Sequence, residues 1–203
     1  MAIEWESSDY QDALTELNLE LQQNPDDIDA YYARSELYYS VEDYDAGIKD
    51  LNGILQRNSQ EVLAYMFRAY GYGQLNNYLL AIDDYNTVLD LSPNYAKAYF
   101  NRGIMYHKLE QYQQAIADFD LAIKLNADYA DAYYNRAIVQ NQLEQYQKAI
   151  ADYTEVIRLQ PHDEAAYYNR GNTYNKIKQY SQALADYNRA ISLKPEDLEA
   201  YYN

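Results

Sequence analysis

The sequence predicts an all-α fold, a solenoid of stacked helix pairs, and three observations carry that reading. Tyrosine recurs every 34 residues, at Tyr31, Tyr65, Tyr99, Tyr133, Tyr167 and Tyr201, and a second series with the same period runs Tyr10, Tyr44, Tyr78, Tyr112, Tyr146, Tyr180. Within each period, apolar and small residues fall three and four apart, the spacing of a helix buried along one face. Pro93, Pro161 and Pro195 stand where a helix must stop and the next period begins. Self-similarity at a fixed period of this size marks an array whose units bury their apolar faces only against their neighbours.

Taken in order, a single unpaired helix is expected near 9–23. Five helix pairs follow, at 28–40/43–56, 62–74/77–90, 96–108/111–124, 130–142/145–158 and 164–176/179–192. The corresponding repeats are 28–61, 62–95, 96–129, 130–163 and 164–197, with a truncated sixth at 198–203, all read as one array over 1–203. The third repeat shows the pattern: Tyr99, Gly103 and Tyr106 on its first helix, then Tyr112, Ala115, Ile116, Phe119, Ala122 and Ile123 on its second. Polar joints such as Asn76-Asn77, Glu110-Gln111 and Glu144-Gln145 separate the two helices. Small residues mark their closest approach: Ser35, Ala69, Gly103, Ala137 and Gly171 on the first helix, Gly47, Ala81, Ala115, Ala149 and Ala183 on the second. The repeat from Ile28 departs from the rest at Gly47 and at bulky Ile54, so less regular packing is expected there.

These residues resemble the tetratricopeptide repeat (TPR) family, whose 34-residue unit carries W-x2-L-G-x2-Y, then A-x3-F, then P. In the fifth repeat the matching positions are Tyr167, Gly171, Tyr174, Ala183, Tyr187 and Pro195, with tyrosine in place of tryptophan and Arg170 where leucine is usual. The resemblance covers essentially the whole chain. It implies a right-handed solenoid whose first helices line a groove that receives a peptide or helix of a partner protein. The chain ends at Tyr201-Tyr202-Asn203, inside the first helix of a sixth unit, so it reads as a piece of a longer chain.

Arg34, Arg68, Arg102, Arg136 and Arg170 occupy one position of the repeat, and Asp50, Asp84, Asp118, Asp152 and Asp186 another. A proton-transfer pair is needed once, not five times, so these are expected to be structural ion pairs between packed helices, with the guanidinium forked onto the carboxylate. The aspartate could belong to the arginine's own repeat or to the preceding one, where Glu16 would serve Arg34. Arg136→Leu, a return to the family's usual residue, is expected to be tolerated and Asp152→Ala to destabilise.

Groove positions transferred from the family give two series. One is Tyr32, Met66, Phe100, Tyr134, Tyr168, Tyr202; the next residue in each repeat gives Ala33, Phe67, Asn101, Asn135, Asn169, Asn203. Tyrosine offers apolar area and a hydroxyl at low entropic cost, and an amide can bond a peptide backbone whatever its side chains. The amide series resembles the asparagine ladder of the O-linked N-acetylglucosamine transferase. By that resemblance Asn101, Asn135 and Asn169 would hold a ligand backbone, with Tyr32, Met66, Phe100, Tyr134 and Tyr168 adding contact area. The alternatives are that the amides are repeat-consensus residues bonding neighbouring side chains and that the large residues widen the core. The lysine-lined clamp by which other family members grip acidic chaperone tails lacks its residues here.

The formal net charge is −16. Residues 1–61 hold fifteen acids against Arg34, Lys49 and Arg57, so most of the excess sits at the N-terminal end. That balance argues against nucleic acid and anionic membranes. It fits a solvated acidic surface that aids solubility or, as the alternative, an acidic end that attracts a basic protein partner. No apolar run reaches the ~18 residues of a membrane span, no secretory leader opens the chain, and a soluble, cytoplasmic protein is expected. Cysteine is absent. His107 and His162 lie in different repeats without a second ligand at metal spacing, and no phosphate-binding or nucleophile motif is present, so no enzyme activity, metal or cofactor is expected. The leading expectation is an adaptor that binds a partner segment in the groove. The alternative is a structural scaffold that self-associates through its open C-terminal end, or the repeat region of a larger protein carrying an enzyme domain elsewhere.

Overall fold

The computed structural model describes residues 7–194, which are helical apart from turns, with no strand among them. A lone helix, α1 (Ser7–Gln23), comes first. Helix–turn–helix pairs follow: α2 (Ile28–Ser40) with α3 (Tyr44–Arg57), and α4 (Val62–Gln74) with α5 (Tyr78–Leu91). Next are α6 (Ala96–Lys108) and α7 (Tyr112–Leu125), α8 (Ala130–Gln142) and α9 (Tyr146–Leu159), and α10 (Glu164–Lys176) and α11 (Tyr180–Leu193). The chain forms two compact units, Met1–Ala98 and Tyr99–Asn203, the boundary falling in the first turn of α6. In the N-terminal unit each helix from α1 to α5 packs on the next; in the C-terminal unit the same holds from α7 to α11.

The first helices begin and end at the expected residues, whereas the second helices start and end one residue late and α1 begins at Ser7. The shift comes from how each first helix closes. Glu42, Asn76, Glu110, Glu144 and Lys178 adopt left-handed backbone, with φ between 57° and 63°. The N–H of the following residue reaches back across the turn: Asp43 to the Tyr38 carbonyl at 2.9 Å, Asn77 to Tyr72 at 2.8 Å, Gln111 to Tyr106 at 2.8 Å, and Gln145 to Gln140 at 2.8 Å. This is the Schellman closure. It consumes the second residue of the polar joint, which then serves as the cap of the next helix. Asp27, Asp43 and Asp163 cap their helices with side-chain oxygens on the N–H of Ala30, Ala46 and Ala166, at 3.0–3.1 Å.

Small residues lie where expected, and the reason is visible in the neighbours. A Cβ built on Gly103 would stand 2.8 Å from the Phe119 ring, and one on Gly171 2.8 Å from Tyr187. Ala69, Ala81, Ala115, Ala137 and Ala149 are fully buried. In the N-terminal unit Leu51, Ile54, Leu55 and Ala64 form the core beneath Tyr31, Tyr32, Tyr39 and Phe67. The repeat from Ile28 packs differently at Gly47: a Cβ there would strike the Tyr39 ring, as would one at Gly71. Gly47 therefore accommodates a tyrosine that the other repeats lack, and Ile54 is buried completely.

Candidate functional site

The repeated charges assemble one motif five times. Each arginine reaches the aspartate of its own helix pair, with Nε and Nη2 donating to the two carboxylate oxygens at 2.6–2.8 Å for Arg34–Asp50, Arg68–Asp84, Arg102–Asp118, Arg136–Asp152 and Arg170–Asp186. All five aspartates are buried, to 3–6% exposure. Glu16 is exposed, and Arg34 Nη1 instead donates to Asn18 at 2.6 Å. Corresponding third partners are Asn52 for Arg68, Asp120 for Arg136 and Thr154 for Arg170. Burial pushes the Asp84 carboxyl above its ordinary range, against the opposing pull of Arg68.

Tyrosines complete the motif. The guanidinium carbons stand 5.4–5.8 Å from the ring centres of Tyr31, Tyr65, Tyr99, Tyr133 and Tyr167. Arg68, Arg102 and Arg170 also lie over Tyr72, Tyr106 and Tyr174. At Arg136 the second ring is replaced by Gln140, and the guanidinium adds a carboxylate, Asp120. A polar cleft of about 300 Å³ opens beside it, lined by Asp120, Gln140, Gln145 and Lys148. The signal for these rings was in the sequence as Tyr–Arg at three residues and Arg–Tyr at four, neighbours on one helical face. With both charges turned on each other and a ring above, the motif is built to fasten helices.

The proposed contact stripe is unequal. Met66 is buried to 8% and belongs to the core, a correction to its assignment as a ligand contact. Phe100 lies 6.0 Å from Phe119 and 4.9 Å from Tyr129; Tyr134 meets Tyr153 edge-on at 5.7 Å; Tyr32 meets Phe67 edge-on at 6.1 Å. These three are half-buried. Burial, then the Glu61 carboxylate, push the Tyr32 phenol up. Among the described members of the stripe, only Tyr168, 37% exposed and 5.9 Å from Tyr187, offers open ring surface.

The amides are partly used by the protein itself. Asn135 Nδ2 donates to the Asp131 carbonyl at 2.8 Å; Asn169 Nδ2 donates to the Ala165 carbonyl at 2.9 Å and to the Tyr134 hydroxyl at 2.7 Å. Asn101 is half-buried on α6. Tyr202, Asn203, Pro195, the truncated sixth repeat and the open C-terminal end lie outside the described residues.

His107 Nε2 lies 2.7 Å from Gln142 Oε1, and His162 is exposed. Among the described residues no group of three or more potential ligands could hold a metal ion, and no helix is long and apolar enough to cross a membrane.

Comparison with known proteins yields a family. The tetratricopeptide repeat model matches residues 96–129, 130–163 and 164–197, and a further TPR repeat model matches 72–110. No curated protein matches the sequence. Among solved structures, MamA superposes with a TM-score of 0.76 at 24% identity, over 87% of this chain and 95% of its own. YrrB, described as a TPR protein with an unusual peptide-binding site, gives 0.73 at 22%, over 92% and 96%. A tetratricopeptide repeat protein from Parabacteroides merdae gives 0.78 at 21%, over 91% and 73%. At these identities the likeness establishes the helical-repeat fold.

Proposed function

Since the chain belongs to the tetratricopeptide repeat family, whose members serve as protein-interaction modules, we propose that it is a non-catalytic adaptor whose C-terminal unit holds a segment of a partner protein along its first helices. The observation that carries this reading is the amide series. Asn101, Asn135 and Asn169 repeat at one register on α6, α8 and α10. Asn169 has both N–H groups engaged, and Asn135 has its amide nitrogen engaged, so the side-chain carbonyl oxygens remain to accept backbone N–H groups of a ligand. Tyr168 adds open ring area beside them, and Phe100 and Tyr134 supply edges. YrrB shows a fold of this kind serving peptide binding.

The reading is tested by affinity capture from source-cell lysate with mass-spectrometric identification, comparing wild type with Asn101→Ala/Asn135→Ala/Asn169→Ala. Loss of a partner with the folded triple variant supports it and names the cargo. Retention of every partner by the variant removes the amide face from the function and brings the scaffold reading forward.

A further inference from the structure

The N-terminal unit carries a different surface on its first helices. At the register of Tyr70 the other repeats have Glu36, Ile104, Ile138 and Asn172; at the register of Tyr39 they have Gly73, His107, Asn141 and Asn175. Tyr39 and Tyr70 therefore bring to the repeating Tyr44 two rings that the repeat pattern does not carry. Their centroids are 5.3 Å apart for Tyr39–Tyr44, 6.0 Å for Tyr39–Tyr70 and 6.3 Å for Tyr44–Tyr70. Tyr39 is fixed in place: it fills the space left by Gly47 and Gly71, and its hydroxyl donates to the Phe67 carbonyl at 3.1 Å. Tyr70 stays 46% exposed, and on the same face of α4 Leu63 is 49% exposed with half-buried Phe67 between them.

The exposed charge on α2 and α4 has one sign. Asp29 and Glu36 are exposed on α2. They alternate at helical spacing with Tyr32 and Tyr39, both of which touch α4, so the two carboxylates border the aromatic surface. The only basic side chains of α2 and α4 are Arg34 and Arg68, and both are bound to aspartates and covered by other rings. Glu42 lies near Tyr44, whose phenol is pushed up by burial, by Tyr70 and by that carboxylate.

We infer that this face is a second docking surface, for a partner segment that presents a lysine or arginine beside an apolar side chain. The cation lies on the open Tyr70 ring within the field of Glu36, and the apolar neighbour covers Leu63 and Phe67. The inference rests on the reading that first helices of this family member receive partner segments, and it assigns this unit a basic, apolar class of ligand that the amide face of the other unit does not select.

Fluorescence anisotropy at 0.15 M salt on the full chain tests it, with a labelled ten-residue peptide alternating arginine and leucine, and arginine–serine and glutamate–leucine versions for comparison. The arginine–leucine peptide is expected to bind at least ten-fold more tightly than either control. Tyr70→Asn and Glu36→Gln, both at exposed positions, each weaken it three- to ten-fold, whereas Asp12→Asn and Asn135→Ala/Asn169→Ala leave it unchanged. Equal loss with Asp12→Asn reduces the effect to a general acidic field and overturns the proposal. Unchanged binding by Tyr70→Asn, or no binding of the arginine–leucine peptide, overturns it also. Loss with the asparagine variant alone overturns this site while leaving the adaptor reading standing.

Discussion

A leucine-to-arginine departure from the family pattern is compensated at each repeat by a buried aspartate. Repetition of the Arg–Asp pair and the three- and four-residue spacing of tyrosines around it made the motif legible in sequence. What the sequence left open was the partner, since the register alone allows the arginine to reach its own repeat or the one before. Packing decides for the nearer aspartate. The burial of that aspartate also changes an expectation: Arg136→Leu, tolerated where leucine is native, here strands the Asp152 carboxylate, which is only 5% exposed. Thermal or urea unfolding should therefore show loss in both single variants. Asp152→Ala should cost about 2–3 kcal/mol, below the range for a fully buried pair because Asp120 still faces the guanidinium. The double variant Arg136→Leu/Asp152→Ala should lose clearly less than the sum, a coupling of roughly 1 kcal/mol or more. Additive losses would show the pair to be idle.

At the scale of the helix pair, the periodicity located every described helix to within two residues, and the described first helices of the pairs without error. The residue of error at the second helices was a matter of turn chemistry. Four of the five left-handed turn positions hold glutamate or lysine, which offer no glycine-like sign of positive φ; only Asn76 is a residue that favours it. Glu144→Gly is expected to relieve that strain and stabilise by about 0.5–1 kcal/mol, after allowance for glycine's greater unfolded-state freedom; unchanged or lower melting temperature would contradict it. The opposite result is expected at the helix crossing. Ala115→Leu pushes a larger side chain into a fully buried contact, and unfolding should show a loss of about 1–3 kcal/mol.

Across the whole molecule, tyrosine is the commonest structural material, with 27 in the chain, and its burial sets an alkaline limit. Burial pushes the Tyr32, Tyr39, Tyr134 and Tyr153 phenols above their ordinary value of 10.0. A phenol raised in the folded state contributes stability that is complete below its unfolded pKa and is lost as pH rises beyond it. Melting temperature should therefore hold level through neutral pH and fall above pH 10, as phenolate absorbance at 295 nm rises. A fall well below pH 10 would place these hydroxyls in water. By itself the sequence determined the all-α class, the 34-residue unit, the family, the sites of helix contact and the acidic bias of the N-terminal end, because each is a local property repeated often enough to be read by register. Tertiary structure alone decided which carboxylate each arginine holds, that Met66 is core, that the Asn135 and Asn169 amide nitrogens are already engaged, and that Tyr39, Tyr44 and Tyr70 meet. Those depend on which side chains from different helices compete for the same space, and spacing along one chain carries no measure of that.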